Sequence, residues 1–434
     1  MTTRSITAAF PTQPARRVGI LLAAAGAAAI LGLTLVPHPD QASYSALTPL
    51  LCLVCGDTGG ADVFLNLLLF VPMATGLRLL GWSWLRVVVT AALVSLAVEC
   101  LQYFVVSGRD ASLSDLLTNT GGAAIAAAVA PWLPDLVTPA PRVAPRRLAG
   151  AAVVWLAVLG VSALAMMPWV PGNRLRSDCT RNEEIADDFT RTVRSVVLNG
   201  ELLPCDGEVL RDARLREAMR AGAVTLDVVV VSGNPDRSRA LIHTVRGRGR
   251  LLLMLAQHSR SAAFTAPTAS RRLRLFSPIL RLPEAFPPAA GLPVEIHAGL
   301  RERRMWISSR HSGAGATMEL ALSPSQGWSV LFPWGIDPSR PFRLVTAIWL
   351  AGFILPVGYF AAGVRSRPVG VAAIALGLGA GLWLLPRLAG YSPVHWSEWA
   401  GGAAGAALGW ALYGIAGYLQ GRCGSPSTSA YSSS

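Results

Sequence analysis

Eight long apolar runs constrain what this chain can fold into. Each covers roughly 18 to 22 residues, the length that an α-helix needs to cross the hydrocarbon of a bilayer. With 52% hydrophobic and 15% charged residues over 434 positions, the chain is too apolar for an ordinary soluble protein. The sequence predicts a polytopic α-helical membrane protein with about eight transmembrane helices, near residues 18–36, 63–80, 86–106, 116–133, 149–168, 343–363, 369–386 and 397–417.

The basic residues indicate how these helices cross. The formal charge of +13 comes from arginine alone, because the sequence has no lysine, and it does not argue for nucleic acid as a partner. Arginine is concentrated in alternate loops, as is typical of the cytoplasmic side. We therefore expect a bacterial plasma-membrane protein with cytoplasmic tails at 1–17 and 418–434 and an extracytoplasmic segment at 171–340. The first run also fits a signal peptide, but its length favours a retained helix.

The cysteines fit this topology. Cys179 and Cys205 lie in the long outside segment and Cys52 and Cys55 in the first outside loop, where an oxidising compartment permits disulfides. A Cys-x-x-Cys pattern without a second pair or a nearby His is weak evidence for zinc. We expect disulfides or free thiols at these positions, no metal site and no cofactor.

Between residues 171 and 340, long apolar runs give way to short stretches rich in β-formers, separated by Gly, Pro, Ser and Asp. This pattern predicts an all-β sandwich inserted between helices five and six. The turn with Arg246, Arg248 and Arg250 is compatible with contact to anionic headgroups or acidic glycans, and also with a solvated hairpin tip. The predicted strands are 224–232, 240–245, 251–259, 272–280, 293–300, 303–309 and 316–323.

The order of these strands, from SGNPDRSRALIHTV through LLLMLAQ and PVEIHAG to RRMWISSRHSG, resembles a concanavalin A-like, laminin-G-type jelly roll. The resemblance implies binding of glycans or proteins, in some members through calcium. Asp227, Asp236 and Glu295 have the best spacing for such a site. They form no calcium-loop pattern, however, and acidic turn residues on a solvated sandwich are the simpler interpretation.

Polar residues recur at helical spacing in three consecutive apolar runs. The members are Asp62 and Asn66 in the second, Ser95, Glu99 and Gln102 in the third, and Asp115 and Asn119 in the fourth. Residues three or four apart share one helical face, so each run predicts a single polar stripe. Arg109 lies in the loop between the third and fourth runs, where it can offset the burial of a carboxylate.

The stripes support two interpretations. A carboxylate near mid-membrane is costly, so Glu99 is expected to face the interior of the bundle, to be paired or to be protonated. The stripes then either line a pocket for a polar headgroup or clasp the helices together, and Asp62 and Asp115 also fit helix caps. Because ionisable groups in membranes are usually functional, the pocket is our preferred interpretation.

The spacing of these residues resembles the VanZ-like family. The matching patterns are D-x3-N-x3-F-x-P-x3-G from Asp62 to Gly76, S-x3-E-x2-Q from Ser95 to Gln102, and R-x5-D-x3-N-x2-G from Arg109 to Gly122. The resemblance implies a VanZ-like transmembrane domain at 18–135 and an effect on susceptibility to teicoplanin. It implies no particular reaction.

The region after the sandwich echoes this domain. AGFILPVGYFAAG resembles LLFVPMATG, which makes residues 343–417 a candidate degenerate repeat, separate from helix five at 149–170. In this alignment His395, Trp399 and Trp383 replace Asp115, Asn119 and Glu99. Chance similarity between Gly/Ala-rich helices explains the echo equally well.

These features favour a non-enzymatic envelope protein that binds a membrane lipid or a lipid-linked envelope precursor. A membrane enzyme, with Glu99 as acid/base and Arg109 binding phosphate, is the first alternative. The sequence shows no nucleophile paired with a base, which lowers this option. The second alternative is a scaffold in which the bundle anchors a sandwich that binds glycan or an envelope protein.

Overall fold

The computed structural model describes residues 13–37, 53–54, 56–106, 111–133, 142–172, 174–179, 192–203, 206–210, 213–232, 239–332 and 340–423. The chain consists of two helical regions separated in sequence by a β-sandwich. The helices are α1 (Gln13–Thr34), α2 (Gly59–Leu69), α3 (Val71–Leu79), α4 (Trp84–Phe104), α5 (Leu113–Val129), α6 (Ala144–Ala165), α7 (Ala213–Ala221), α8 (Arg340–Ala362), α9 (Arg367–Gly379), α10 (Leu385–Leu388) and α11 (Trp396–Cys423).

Six helical segments are long and apolar enough to cross a membrane. They are Arg16–Thr34, Gly59–Leu79, Trp84–Phe104, Ala144–Ala165, Pro341–Ala362 and Arg367–Leu388. Helices α5 and α11 occupy the positions predicted for the fourth and eighth spans but do not belong to this set of described helices. The membrane character of the chain is therefore confirmed, while the count of eight spans and the side of each terminus stay predictions.

Two of these segments are interrupted. The second breaks at Phe70, just before Pro72, and proline both lacks a backbone N–H and clashes with the preceding turn. The segment Arg367–Leu388 passes through a π-helical stretch, Ala380–Leu384, before Pro386. Both interruptions lie inside apolar runs, so neither changes the predicted path of the chain.

The described strands form two six-stranded antiparallel sheets. The strands are β1 (Leu175–Asp178), β2 (Val193–Leu198), β3 (Glu201–Leu202), β4 (Asp206–Leu210), β5 (Val224–Val231), β6 (Arg239–Gly247), β7 (Arg250–His258), β8 (Ser261–Thr265), β9 (Ile279–Leu282), β10 (Pro293–Arg301), β11 (Arg304–His311) and β12 (Ala314–Ala321). The strand orders in the two sheets are β4-β1-β6-β7-β8-β9 and β12-β11-β10-β5-β2-β3. Alternate residues point inward, as in β5, so the core lies between the sheets.

This arrangement confirms a two-sheet sandwich, whereas the jelly-roll class stays a prediction. One predicted strand, 272–280, was largely wrong: Ala269–Leu273 is a 3₁₀ turn, and only Ile279 and Leu280 of that stretch belong to β9. The buried Arg271 explains the turn, because its Nε donates to Ser277 Oγ at 3.1 Å. Burial lowers the pKa of Arg271 to about 10, and the nearby Asp57 opposes that shift.

The sandwich contacts both helical regions through polar groups. Toward the first region, Arg246 forms an ion pair with Asp57 at 3.6 Å, and Gly60 donates its N–H to the carbonyl of Arg274 at 3.1 Å. Toward the C-terminal helices, Ser323 Oγ donates to the buried Glu398 Oε2 at 3.0 Å. The sandwich therefore lies against the ends of the spans, on what we call the sandwich side of the membrane.

Candidate functional site

Helices α4 and α5 place their polar stripes in contact. Ser95, Glu99 and Gln102 are all buried on α4, and Asn119 is buried on α5. Asn119 Nδ2 donates to Ser95 Oγ at 3.0 Å. The i, i+4, i+7 spacing on one helix and the matching amide on the next thus meet in a single set, which we call the polar stripe: Ser95, Glu99, Gln102 and Asn119.

Glu99 contacts the beginning of α5. Its Oε2 accepts a hydrogen bond from the backbone N–H of Ser112 at 2.7 Å, and the Ser112 side chain caps the helix by accepting from the N–H of Ser114. The partial positive charge of a helix N-terminus favours a carboxylate at this position. Asp115 lies in the first turn of α5, close enough for its negative charge to repel a charged Glu99.

Gln102 turns toward a different helix. Its Nε2 donates to the carbonyl of Thr34 at the end of α1, at 3.0 Å. Gln102 Oε1 and Asn119 Oδ1 are both buried and receive no hydrogen bond from the described residues. The polar stripe therefore contains two acceptor oxygens that no described donor satisfies.

The remaining predicted site residues are not part of this set. Asp62 is exposed and Asn66 is half-buried, and neither side chain bonds to the polar stripe within the described ranges. Helix α2 instead approaches α5 through Gly122, where an added Cβ would lie 2.0 Å from the carbonyl oxygen of Leu67. Arg109 lies outside the described residues.

Sequence reasoning missed Ser112, Ser114 and Thr34. The cap of α5 is Ser112, not Asp115, and Ser114 Oγ donates to the carbonyl of Leu53 at 2.6 Å. The signal for the cap was present, since Ser112 precedes the apolar run of α5. The contact with Thr34 left no such signal, because the partner is a backbone carbonyl.

Cys179 lies in the sandwich, in strand-flanking sequence away from the polar stripe. Cys179 is disulfide-bonded and buried, and its Sγ lies 3.5 Å from Nδ1 of the buried His243. Burial lowers the pKa of His243 to about 4, so this imidazole is neutral near pH 7. Cys52, Cys55 and Cys205 lie outside the described residues, so their pairing stays a prediction. Among the described residues, no group of three or more His, Cys, Asp or Glu is placed to hold a metal ion.

The family comparison covers the helices that carry the polar stripe. The VanZ/LLP1 family model matches residues 19–134. The chain carries a VanZ-like domain. Together with the apolar helices, this match supports a VanZ-like membrane protein. No curated protein and no solved structure matches the chain.

Proposed function

We propose that the VanZ-like domain binds the polar headgroup of a membrane lipid or a lipid-linked envelope precursor at the polar stripe. The observation that carries this proposal is the pair of buried acceptors, Gln102 Oε1 and Asn119 Oδ1, beside Glu99. An unsatisfied buried acceptor costs about 1–3 kcal/mol, which a ligand with hydroxyl or ammonium donors would recover. Arg109, in the adjoining loop, would bind a headgroup phosphate.

In this proposal the sandwich side is the outer side of a bacterial plasma membrane, with both termini in the cytoplasm. The charge distribution of the loops supports that orientation. Binding at the outer leaflet would alter susceptibility to teicoplanin, as the VanZ resemblance implies. The proposed activity is binding without chemistry; the enzyme alternative would require Glu99 to move a proton on the precursor.

The test measures lipid retention by the purified full chain with native mass spectrometry. We expect wild-type protein to retain an envelope lipid that the double variant Gln102→Leu/Asn119→Leu loses, because leucine removes both acceptors. Thr346→Val is the matched control. Thr346 is equally buried in α8 and accepts from Trp328 Nε1 at 3.1 Å, but it lies outside the VanZ-like domain.

Two outcomes would contradict the headgroup proposal. If wild type and the double variant retain equal amounts of lipid, the polar stripe only holds the helices together and does not bind a headgroup. If the Thr346→Val control loses as much lipid as the double variant, the loss results from a general destabilisation of the protein. Growth inhibition by teicoplanin, measured in cells that produce the same three proteins, then tests whether binding and susceptibility change together.

A second candidate function is glycan binding by the sandwich, supported by the outward face of the second sheet. His297 Nδ1 lies 2.6 Å from Asp227 Oδ1, and the register continues that row to Ser308. On the same face, the ring of Trp306 lies over Gly299, where an added Cβ would be 2.7 Å from the indole. Hydroxyl-binding groups beside a half-exposed aromatic ring suit a sugar.

The glycan candidate has its own test. Trp306→Ala should abolish retention of peptidoglycan fragments by the full chain, whereas Trp396→Ala, an exposed tryptophan at the start of α11, should not. Unchanged retention in Trp306→Ala would remove this candidate.

A further inference from the structure

One corner of the sandwich combines two segments rich in arginine. The first is the tip of the β6–β7 hairpin, where Arg248 and Gly249 take left-handed backbone conformations. The second is the 3₁₀ turn Ala269–Leu273. Arg250 joins them, because its Nη1 donates to the carbonyls of Arg271 at 2.8 Å and Arg272 at 3.1 Å.

This corner lies level with the end of a membrane span. The N–H groups of Gly60 and Ala61, in the first turn of α2, donate to the carbonyl of Arg274. Helix α2 begins the span Gly59–Leu79. Because the hydrocarbon begins within a few residues of such a helix end, the corner lies at the depth of the lipid headgroups.

Most of the arginines here are bonded within the protein. Arg246 pairs with Asp57, Arg271 donates to Ser277, and Arg274 donates to the carbonyl of Val54. The side chains of Arg248 and Arg272 differ. Both side chains are exposed, and within the described ranges neither side chain has a hydrogen bond or an ion pair.

Leu273 adds an apolar group beside these two cations. Its side chain is 64% exposed, although its carbonyl contacts the start of α2. Guanidinium groups bind phosphate through paired hydrogen bonds, and an exposed leucine at the same depth can enter the upper acyl region. If the corner faced only water, the side chain of Leu273 would stay exposed and would bury no apolar surface.

We propose that Arg248, Arg272 and Leu273, which we call the basic corner, bind anionic lipids in the leaflet beneath the sandwich. The two guanidinium groups bind the headgroup phosphate, and Leu273 enters the upper acyl region. The sandwich is then fastened to the bilayer as well as to the helices. This site is separate from the polar stripe and does not depend on the function proposed for it.

The test titrates the full chain in detergent with short-chain phosphatidylglycerol or phosphatidylcholine, and counts bound lipids by native mass spectrometry. We expect wild type to prefer phosphatidylglycerol. Arg248→Gln/Arg272→Gln should weaken that binding about thirtyfold, because each arginine near an anionic surface contributes about a factor of five. Arg248→Lys/Arg272→Lys should bind more tightly than the glutamine variant but less tightly than wild type, since lysine keeps the charge and loses the paired hydrogen bonds of the guanidinium group.

The control pair Arg301→Gln/Arg304→Gln removes two exposed arginines from the β10–β11 turn and should leave binding unchanged. The proposal is overturned if wild type shows no preference for phosphatidylglycerol, or if the control weakens binding as much as the corner variant. It is also overturned if millimolar inorganic phosphate displaces the lipid, because the corner would then bind the free anion.

Discussion

The VanZ-like helices and the C-terminal helices pack in a similar way with different side chains. In each region an apolar span that contains a proline contacts a glycine of the last helix. Gly122 of α5 meets the carbonyl of Leu67, five residues before Pro72, and Gly405 of α11 meets Ala351, five residues before Pro356. Small residues let membrane helices approach closely, so both contacts follow from one packing rule.

The two regions differ in what lies beside that contact. In the VanZ-like helices Asn119 bonds to Ser95, whereas in the C-terminal helices Gly402 meets Leu378, with 2.7 Å between an added Cβ and the leucine Cδ2. At the Gly402–Leu378 contact the C-terminal helices therefore pack through an apolar side chain. Close packing of this kind does not itself require the polar pair of Asn119 and Ser95, which is consistent with the headgroup proposal.

The largest effect is expected from filling a helix contact. In Gly405→Val the added Cβ would lie 2.4 Å from Ala351, so α8 and α11 must separate, and the free energy of unfolding should fall by about 3 kcal/mol. Thermal unfolding in detergent measures the change. Gly352→Val is the control, because nothing lies within 4 Å of that Cβ. An equal loss of stability in Gly405→Val and Gly352→Val would contradict the account, since it would show that the close contact at Gly405 is no more sensitive to an added side chain than an open position.

The sandwich between the two regions should respond to acid. The folded pKa of His243, about 4, lies below its ordinary value of 6.5, so the folded protein disfavours protonation. The free energy of unfolding should therefore be highest above pH 6.5 and should fall by about 3 kcal/mol as the pH drops toward 4. Denaturant unfolding at several pH values measures this. His243→Leu should flatten the profile, and an unchanged acid loss in that variant would place its origin elsewhere.

The attachment of the sandwich to the C-terminal helices should be firm. Ser323→Ala removes the bond to the buried Glu398 and also the cap of the turn Pro324–Val330, so the free energy of unfolding should fall by about 2 kcal/mol. Thermal unfolding of Ser323→Ala beside Ser308→Ala, on the outward face of β11, measures the loss. Equal midpoints for wild type and Ser323→Ala would contradict a stabilising role for this contact.

The attachment to the VanZ-like helices should be weaker. The ion pair of Asp57 and Arg246 is partly open to solvent, so Asp57→Asn should cost at most about 1 kcal/mol. The difference from wild type should shrink in 0.5 M salt because the charges are screened. A loss in Asp57→Asn larger than that in Ser323→Ala would reverse the order of the two attachments.

Much of this architecture was predictable from pattern. Apolar runs indicated the helices, and the i, i+4, i+7 spacing placed Ser95, Glu99 and Gln102 on one face. Single residues were harder to predict. Residues 272–280 have high β-propensity, yet most of them are not in a strand. The buried Arg271 donates to Ser277, and this hydrogen bond stabilises a turn instead. The partners of Gln102 and Arg250 are backbone carbonyls, which any residue supplies and no sequence pattern marks.

The most direct test compares the unfolding midpoints of wild type and Asn119→Leu, with and without added envelope lipid extract. A ligand that binds the folded state raises its stability by mass action. Without lipid, Asn119→Leu should cost less than about 1 kcal/mol, because hydrogen bonds between membrane helices contribute about 0.6 kcal/mol. The headgroup proposal predicts that lipid raises the midpoint of wild type but not that of Asn119→Leu. An equal rise in both proteins, with a large loss in the variant before lipid is added, would contradict it and identify the polar stripe as a clasp.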